Sequence, residues 1–146
     1  MASARQELSI AIRRQVHAWE SLRLVLAEQI GLGLTEFVAL GHIYDSGAIT
    51  ATELGELLHL TSGSVTALIN RLEASGYAER VENPDDRRSV LITTCPAGED
   101  AWSWVIEQTY APVARAVRGS ELSTKDAIRL FGLFADQIEG LSSQLA

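Results

Sequence analysis

Residues 50–73 read TATELGELLHLTSGSVTALINRLE, and this stretch decides the fold. In Thr50-Ala51-Thr52-Glu53 a hydroxyl precedes a carboxylate by three positions, the spacing at which each side chain satisfies a backbone N–H of the other at a helix start. A short helix follows, with Leu54, Leu57 and Leu58 expected on its core face. After His59-Leu60 the hydroxyl of Thr61 is placed to cap a second helix. At about 100° per residue, Val65, Leu68, Ile69 and Leu72 fall on one arc of that helix. Gly63, Thr66, Ala67 and Asn70 fall opposite, flanked by Ser62, Ser64 and Arg71. Two short helices therefore meet at a tight corner, and the second presents a small, polar outer face.

Beyond Gly76 the periodicity changes. Tyr77–Val81 and Ser89–Thr93 read as strands around the turn Asn83-Pro84-Asp85-Asp86, which predicts a hairpin. Upstream, Leu8, Ile12, Val16, Trp19, Leu22, Leu26 and Ile30 recur at three- and four-residue steps, the stripe of an amphipathic helix ended by Gly31 and Gly33. Thr35 is expected to cap a short helix through Phe37, Leu40 and Ile43. Downstream, Thr94 and Pro96 open a long helix that carries Trp102, Val105, Ile106 and Val113. Gly119 and Ser120 break it. Ser123 opens a last helix whose Phe131, Phe134, Ile138, Leu141 and Leu145 step by three and four, like a coiled-coil seam. The predicted fold is mainly α with a small β-hairpin wing: a winged helix-turn-helix core over 34–99, flanked by long helices over 1–30 and 97–146, in one domain spanning 1–146.

In that element order the second helix of the corner enters the major groove of DNA and the hairpin reaches the adjacent backbone or minor groove. Small outward residues let the helix backbone approach the groove floor, where hydroxyls and the Asn70 amide can pair with base edges. Arg87 and Arg88 follow the Pro-Asp-Asp turn at the hairpin tip. They suit a narrow, electronegative minor groove; the alternative is that they pair with Asp85 and Asp86. Asp86 is expected to hold Arg88 in a fixed pose. The overall charge runs the other way. With 12 basic and 19 acidic residues the net charge is −7, so DNA binding requires the cations to be focused on one surface. Between Thr61 and Thr94 the four arginines are outnumbered by five acids, which predicts weak affinity for random duplex.

Residues 52–73, 76–80 and 85–94 together resemble the DNA-binding core of the MarR family, and Leu34-Thr35 is similar to the Leu-Thr that opens that family's second helix. The resemblance is strongest over 34–99. It implies a homodimer, built from the first and last helices, that binds a pseudo-palindromic double-stranded DNA operator and usually represses transcription. Carried over by position, it implies that Ser62, Ser64, Thr66, Asn70 and Arg71 contact the groove or phosphates, with Arg88, helped by Arg87, as the wing contact. Independently, the apolar seams of the outer helices need a partner, and two-fold symmetry would set two reading helices about one DNA turn apart.

Many members of the family are released from DNA by a small aromatic or anionic ligand in a crevice beside the dimer helices. Candidate wall residues here are Arg13, His17, Trp19, His42, Tyr44 and Trp102; the alternative is that the aromatics are core. Cys95 follows the last strand, where it is expected to be a small buried residue and not an oxidation sensor. A single cysteine and an amino terminus without a long uncharged run point to the cytoplasm. No run approaches the roughly 18 apolar residues of a membrane span. His17, His42 and His59 lack metal-ligand spacing, and there is no Gly-rich phosphate loop, so neither a metal, a cofactor nor an enzymatic activity is expected. The rival to DNA reading is a winged-helix scaffold that binds proteins.

Overall fold

The computed structural model describes residues 3–86 and 88–145. By internal contacts the chain divides into two units, Met1–Val105 and Ile106–Ala146. The first unit opens with α1 (Ala4–Gln29) and α2 (Leu34–Ser46). The two-residue strand β1 (Ile49–Thr50) leads into α3 (Ala51–Leu58) and α4 (Ser62–Ala74). Strands β2 (Ala78–Glu82) and β3 (Val90–Thr94) form the wing. Helix α5 (Pro96–Arg118) begins in the first unit and ends in the second, with Pro112 inside it; α6 (Thr124–Leu145) completes the second.

Local chemistry sets the helix starts. The Thr50 hydroxyl accepts from the Glu53 N–H at 3.2 Å while the Glu53 carboxylate accepts from the Thr50 N–H at 2.8 Å, so both halves of the capping box form. The bonds from the Thr50 hydroxyl and N–H hold the Glu53 carboxyl below the usual carboxylate range. Thr61 caps α4 by accepting from the Ser64 N–H, and Ser123 caps α6 by accepting from the Asp126 N–H at 3.1 Å.

The expected cap of α2 is corrected. Gly33, not Thr35, is its N-cap, and the helix begins at Leu34 without a side-chain cap. A Cβ at Gly33 would collide with the Glu36 carboxylate, which folds back over the helix start.

Leu40, Ile43, Leu54, Val65, Leu68, Ile69, Leu72 and Ile92 are buried almost completely and join α2, α3, α4 and β3 in one core. Each such side chain contributes about 1.5–3 kcal/mol by leaving water. All four residues read as the inner arc of α4 are buried. In α3 the expected face is rotated: Leu57 is 50% exposed, and Gly55 is buried beside Leu54. The reason is close helix packing, because a Cβ at Gly55 would stand 3.0 Å from a Val65 methyl of α4.

The wing is not a lone hairpin. β1 pairs with β3, Ile49 opposite Ile92, which gives an antiparallel sheet in the order β1-β3-β2. The register of β2 on β3 runs from Ala78 opposite Thr94 to Glu82 opposite Val90. The Tyr77 hydroxyl donates to the Ile30 carbonyl at 2.9 Å and ties the root of the wing to the end of α1. Among the described residues no single helix is long and apolar enough to cross a membrane.

Candidate nucleic-acid interface

Helix α4 presents a small, polar outer face because its opposite face is fixed in the core. Ser62, Gly63, Ser64, Thr66, Ala67 and Asn70 are all exposed, and none is a large apolar residue. The Ser64 hydroxyl lies 2.9 Å from that of Thr61, and the Thr66 hydroxyl donates to the Ser62 carbonyl at 2.9 Å. Both keep free lone pairs toward solvent. A Cβ at Gly63 would meet nothing within 4 Å, so the surface there is open. The corner before α4 is closed by His59, whose φ of 52° and ψ of 42° place a non-glycine residue in the left-handed region.

The arginines of this region are not equivalent. Arg71, on the flank of α4, is ion-paired through Nε to Glu36 of α2. Burial pushes the Glu36 carboxyl up, but the hydrogen bond and charge of Arg71 and a backbone hydrogen bond outweigh it, and the group lies below its usual range. Arg80, on β2, is ion-paired through Nη1 to Glu73 of α4, and its Nη2 donates to the Asn70 Oδ1 at 2.8 Å. Arg88 is exposed, and its guanidinium has no ion-pair partner among the described residues.

The wing tip organises itself around its own turn. The Asn83 Oδ1 accepts from the Asp85 N–H at 3.0 Å, and the Asn83 amide donates to the Ser89 hydroxyl at 2.8 Å. The Asp86 Oδ1 accepts from the backbone N–H of Arg88 at 2.9 Å, so Asp86 fixes the main chain of Arg88, whose side chain has no ion-pair partner among the described residues. Arg87 lies outside the described residues.

The candidate effector residues divide. Trp102 packs on Phe37 with ring centroids 5.0 Å apart and on Tyr44 at 6.5 Å. It also covers Gly41, where a Cβ would strike its ring. This makes Trp102 and Tyr44 part of one aromatic cluster beside the core. His42 and Trp19 are half-buried. On α1, Arg13 donates to the Ser9 hydroxyl at 3.1 Å, and His17 Nδ1 lies 3.4 Å from Glu20, so both make their side-chain contacts along their own helix. Cys95, expected to be buried, is only partly so, and its thiol donates to the Gly76 carbonyl at the strand end. Among the described residues no group of three His, Cys, Asp or Glu is placed to hold a metal ion.

Two features escaped the sequence. One is an open cleft of about 570 Å³ between α3 and α4, lined by Thr52, Glu56 and His59 on one side and Ser62 and Thr66 on the other. Gly55 at the helix crossing was its only sequence signal. The other is Arg80, which the residue pattern marks only as one polar position in a strand.

The family model described as the MarR family matches residues 30–89. The HTH-type transcriptional regulator YcgE of Bacillus subtilis, itself uncharacterised, is 41% identical over 73 residues, 50% of this chain and 47% of that protein. The chain spans about half the length of the curated relatives it matches. Among solved structures, Streptococcus pneumoniae FabT in complex with DNA superposes with a TM-score of 0.70 at 23% identity, over 97% of this chain and 96% of FabT. NadR in complex with 4-hydroxyphenylacetate superposes with a TM-score of 0.69 at 18% identity, over 94% of this chain and 93% of NadR. At these identities the two structures show a shared fold.

Proposed function

We propose that this chain, whose residues 30–89 match the model of the MarR family, is a sequence-specific DNA-binding transcriptional regulator, a repressor acting in the cytoplasm as a homodimer on a pseudo-palindromic operator. The observation that carries the reading is the pairing of an exposed α4 face free of large apolar residues with a wing turn that pins the backbone of Arg88, whose guanidinium has no ion-pair partner among the described residues. Hydroxyls and an amide on a helix face are the groups that read base edges, and an exposed arginine on the wing suits the minor groove or a phosphate. FabT, which shares the fold, is a DNA-bound protein.

The dimer is supported by exposed apolar rows that one chain leaves uncovered. On α6, Phe131, Phe134, Ile138 and Leu141 are each about half exposed, and α1 exposes Leu8, Ile10, Ile12 and Val16. Rows of this extent mark an interaction surface. A small aromatic or anionic effector is the natural inducer class, since NadR, of the same fold, binds 4-hydroxyphenylacetate and this chain gathers Phe37, Tyr44 and Trp102 in one cluster.

The test is a fluorescence anisotropy titration of the dimer against a duplex from the gene's own upstream region and a scrambled duplex of equal length. At physiological salt the upstream duplex is expected to bind at least about a thousandfold more tightly, the lower end for specific recognition. The acidic balance of the 61–94 segment keeps the scrambled duplex weak. Equal affinity for the two duplexes would overturn the proposal.

A further inference from the structure

We propose that Arg80 is a positioning residue that sets the base preference of Asn70, orienting its amide to read guanine and to reject adenine. The inference rests on the DNA-reading function proposed above. Its basis is a three-residue chain from strand to helix: the Glu73 carboxylate holds Nη1 of Arg80, and Nη2 of Arg80 donates to Oδ1 of Asn70 at 2.8 Å. A guanidinium has only donors, so the atom it meets on Asn70 must be the carbonyl oxygen, which fixes which way the amide faces.

The consequence is a change in what Asn70 offers. A free asparagine presents both an acceptor and a donor, the pattern that matches the N6 amino group and N7 of adenine. Here one lone pair of the acceptor is occupied by the Arg80 N–H, so an approaching base amino group must share an oxygen already engaged by another donor. The Nδ2 group keeps both N–H donors. Adjacent acceptors, N7 and O6, occur on guanine, and that edge fits a donor amide. The anchor is stiff enough to matter. Glu73 and Arg80 are both about two-thirds buried in their side chains, and Glu73 stands on the same helix as Asn70 while Arg80 stands on β2. Helix and wing together therefore set the amide.

The experiment is repeated selection and sequencing of bound duplexes from a random-sequence library with wild type, Asn70→Ala, Arg80→Met, Arg80→Lys and Glu73→Gln. The position read by Asn70 is the one whose identity is lost in Asn70→Ala. In wild type that position is expected to be guanine, preferred over adenine by about tenfold or more. In Arg80→Met the preference is expected to fall severalfold and to admit adenine there, with the other positions unchanged. Arg80→Lys, which restores one donor, should recover part of the preference. Glu73→Gln keeps Arg80 but loosens its anchor, and should shift the preference in the same direction by less, which also covers an Arg80→Met protein that fails to fold. Adenine at the Asn70 position in wild type would overturn the inference. So would an Arg80→Met or Glu73→Gln protein that lost affinity equally for every base there. No enriched sequence with folded wild type would overturn the DNA-reading function itself, and this step with it.

Discussion

The double variant Phe131→Asp, Phe134→Asp will sediment as a monomer and lose at least about a hundredfold in affinity for the operator. Phe131 is 53% and Phe134 51% exposed in the single chain, so neither is required to fill the core around Leu40 and Leu68. Both lie on the apolar row of α6, where a facing copy would cover them. Two carboxylates on that row would have to be desolvated without partners in the interface, which costs several kcal/mol per ion. Separating the two reading helices then removes the intramolecular second half-site contact, an advantage of about 10²–10⁴ in linked binding. Analytical ultracentrifugation gives the mass, and far-UV circular dichroism shows whether the monomer remains folded. A double variant that stays dimeric and binds normally would show that α6 is not the interface.

Leu68→Ala will destabilise the protein by about 2–5 kcal/mol, the range for removing a fully enclosed leucine. Leu68 is 0% exposed and sits in α4 between Val65, Ile69 and Leu72 of its own helix and the core residues of α2 and α3. The same helix carries Ser62, Thr66 and Asn70 outward, so the cavity lies directly beneath that outer face. Urea unfolding at matched protein concentration measures the loss, because a dimer's stability depends on concentration. A change under about 1 kcal/mol, well below that range, would mean that the core relaxes freely around α4, contrary to the enclosed packing described here.

The parts of this fold that local chemistry controls were legible in the sequence. The Thr50-Glu53 box, the Thr61 cap and the inner arc of α4 depend on residues within one or two turns of each other, and the structure forms each as read. The wing turn was legible for the same reason, since Asn83 and Asp86 act on backbone groups two residues away. What was not legible depends on distant partners. β1 is two residues long, too short to show a period of two, and exists because β3 offers it an edge. Leu57 looked like core until Gly55 let α4 pack on the other side of α3. Gly33, not Thr35, caps α2, and the Glu36 carboxylate that folds back beside it also holds Arg71 of α4, a partner 35 residues away.

The site shows the same division. The helical wheel set Thr66 and Asn70 on the outer face of α4 with Ser62, Ser64 and Arg71 on its flanks, and the family resemblance implied their contacts; a wheel gives the direction of a side chain. It does not give the partners. Arg71 meets an acid from 35 residues away and Asn70 meets Arg80 across 10, and neither spacing carries a local signal. The polar positions of a strand look alike in sequence, so Arg80 became distinctive only when β2 was set beside α4.

The most direct test of the central claim, that the outer face of α4 and the wing together read DNA, is a salt-series titration of the gene's own upstream duplex with wild type, Arg88→Ala and Asn70→Ala. The account predicts that both variants remain folded and weaken specific binding by about 1–3 kcal/mol for the Asn70 base contact, with Arg88→Ala also flattening the salt dependence by about one unit if its contact is to a phosphate. Wild-type affinity retained in both folded variants would contradict it and turn attention to the α4 face as a protein-binding surface.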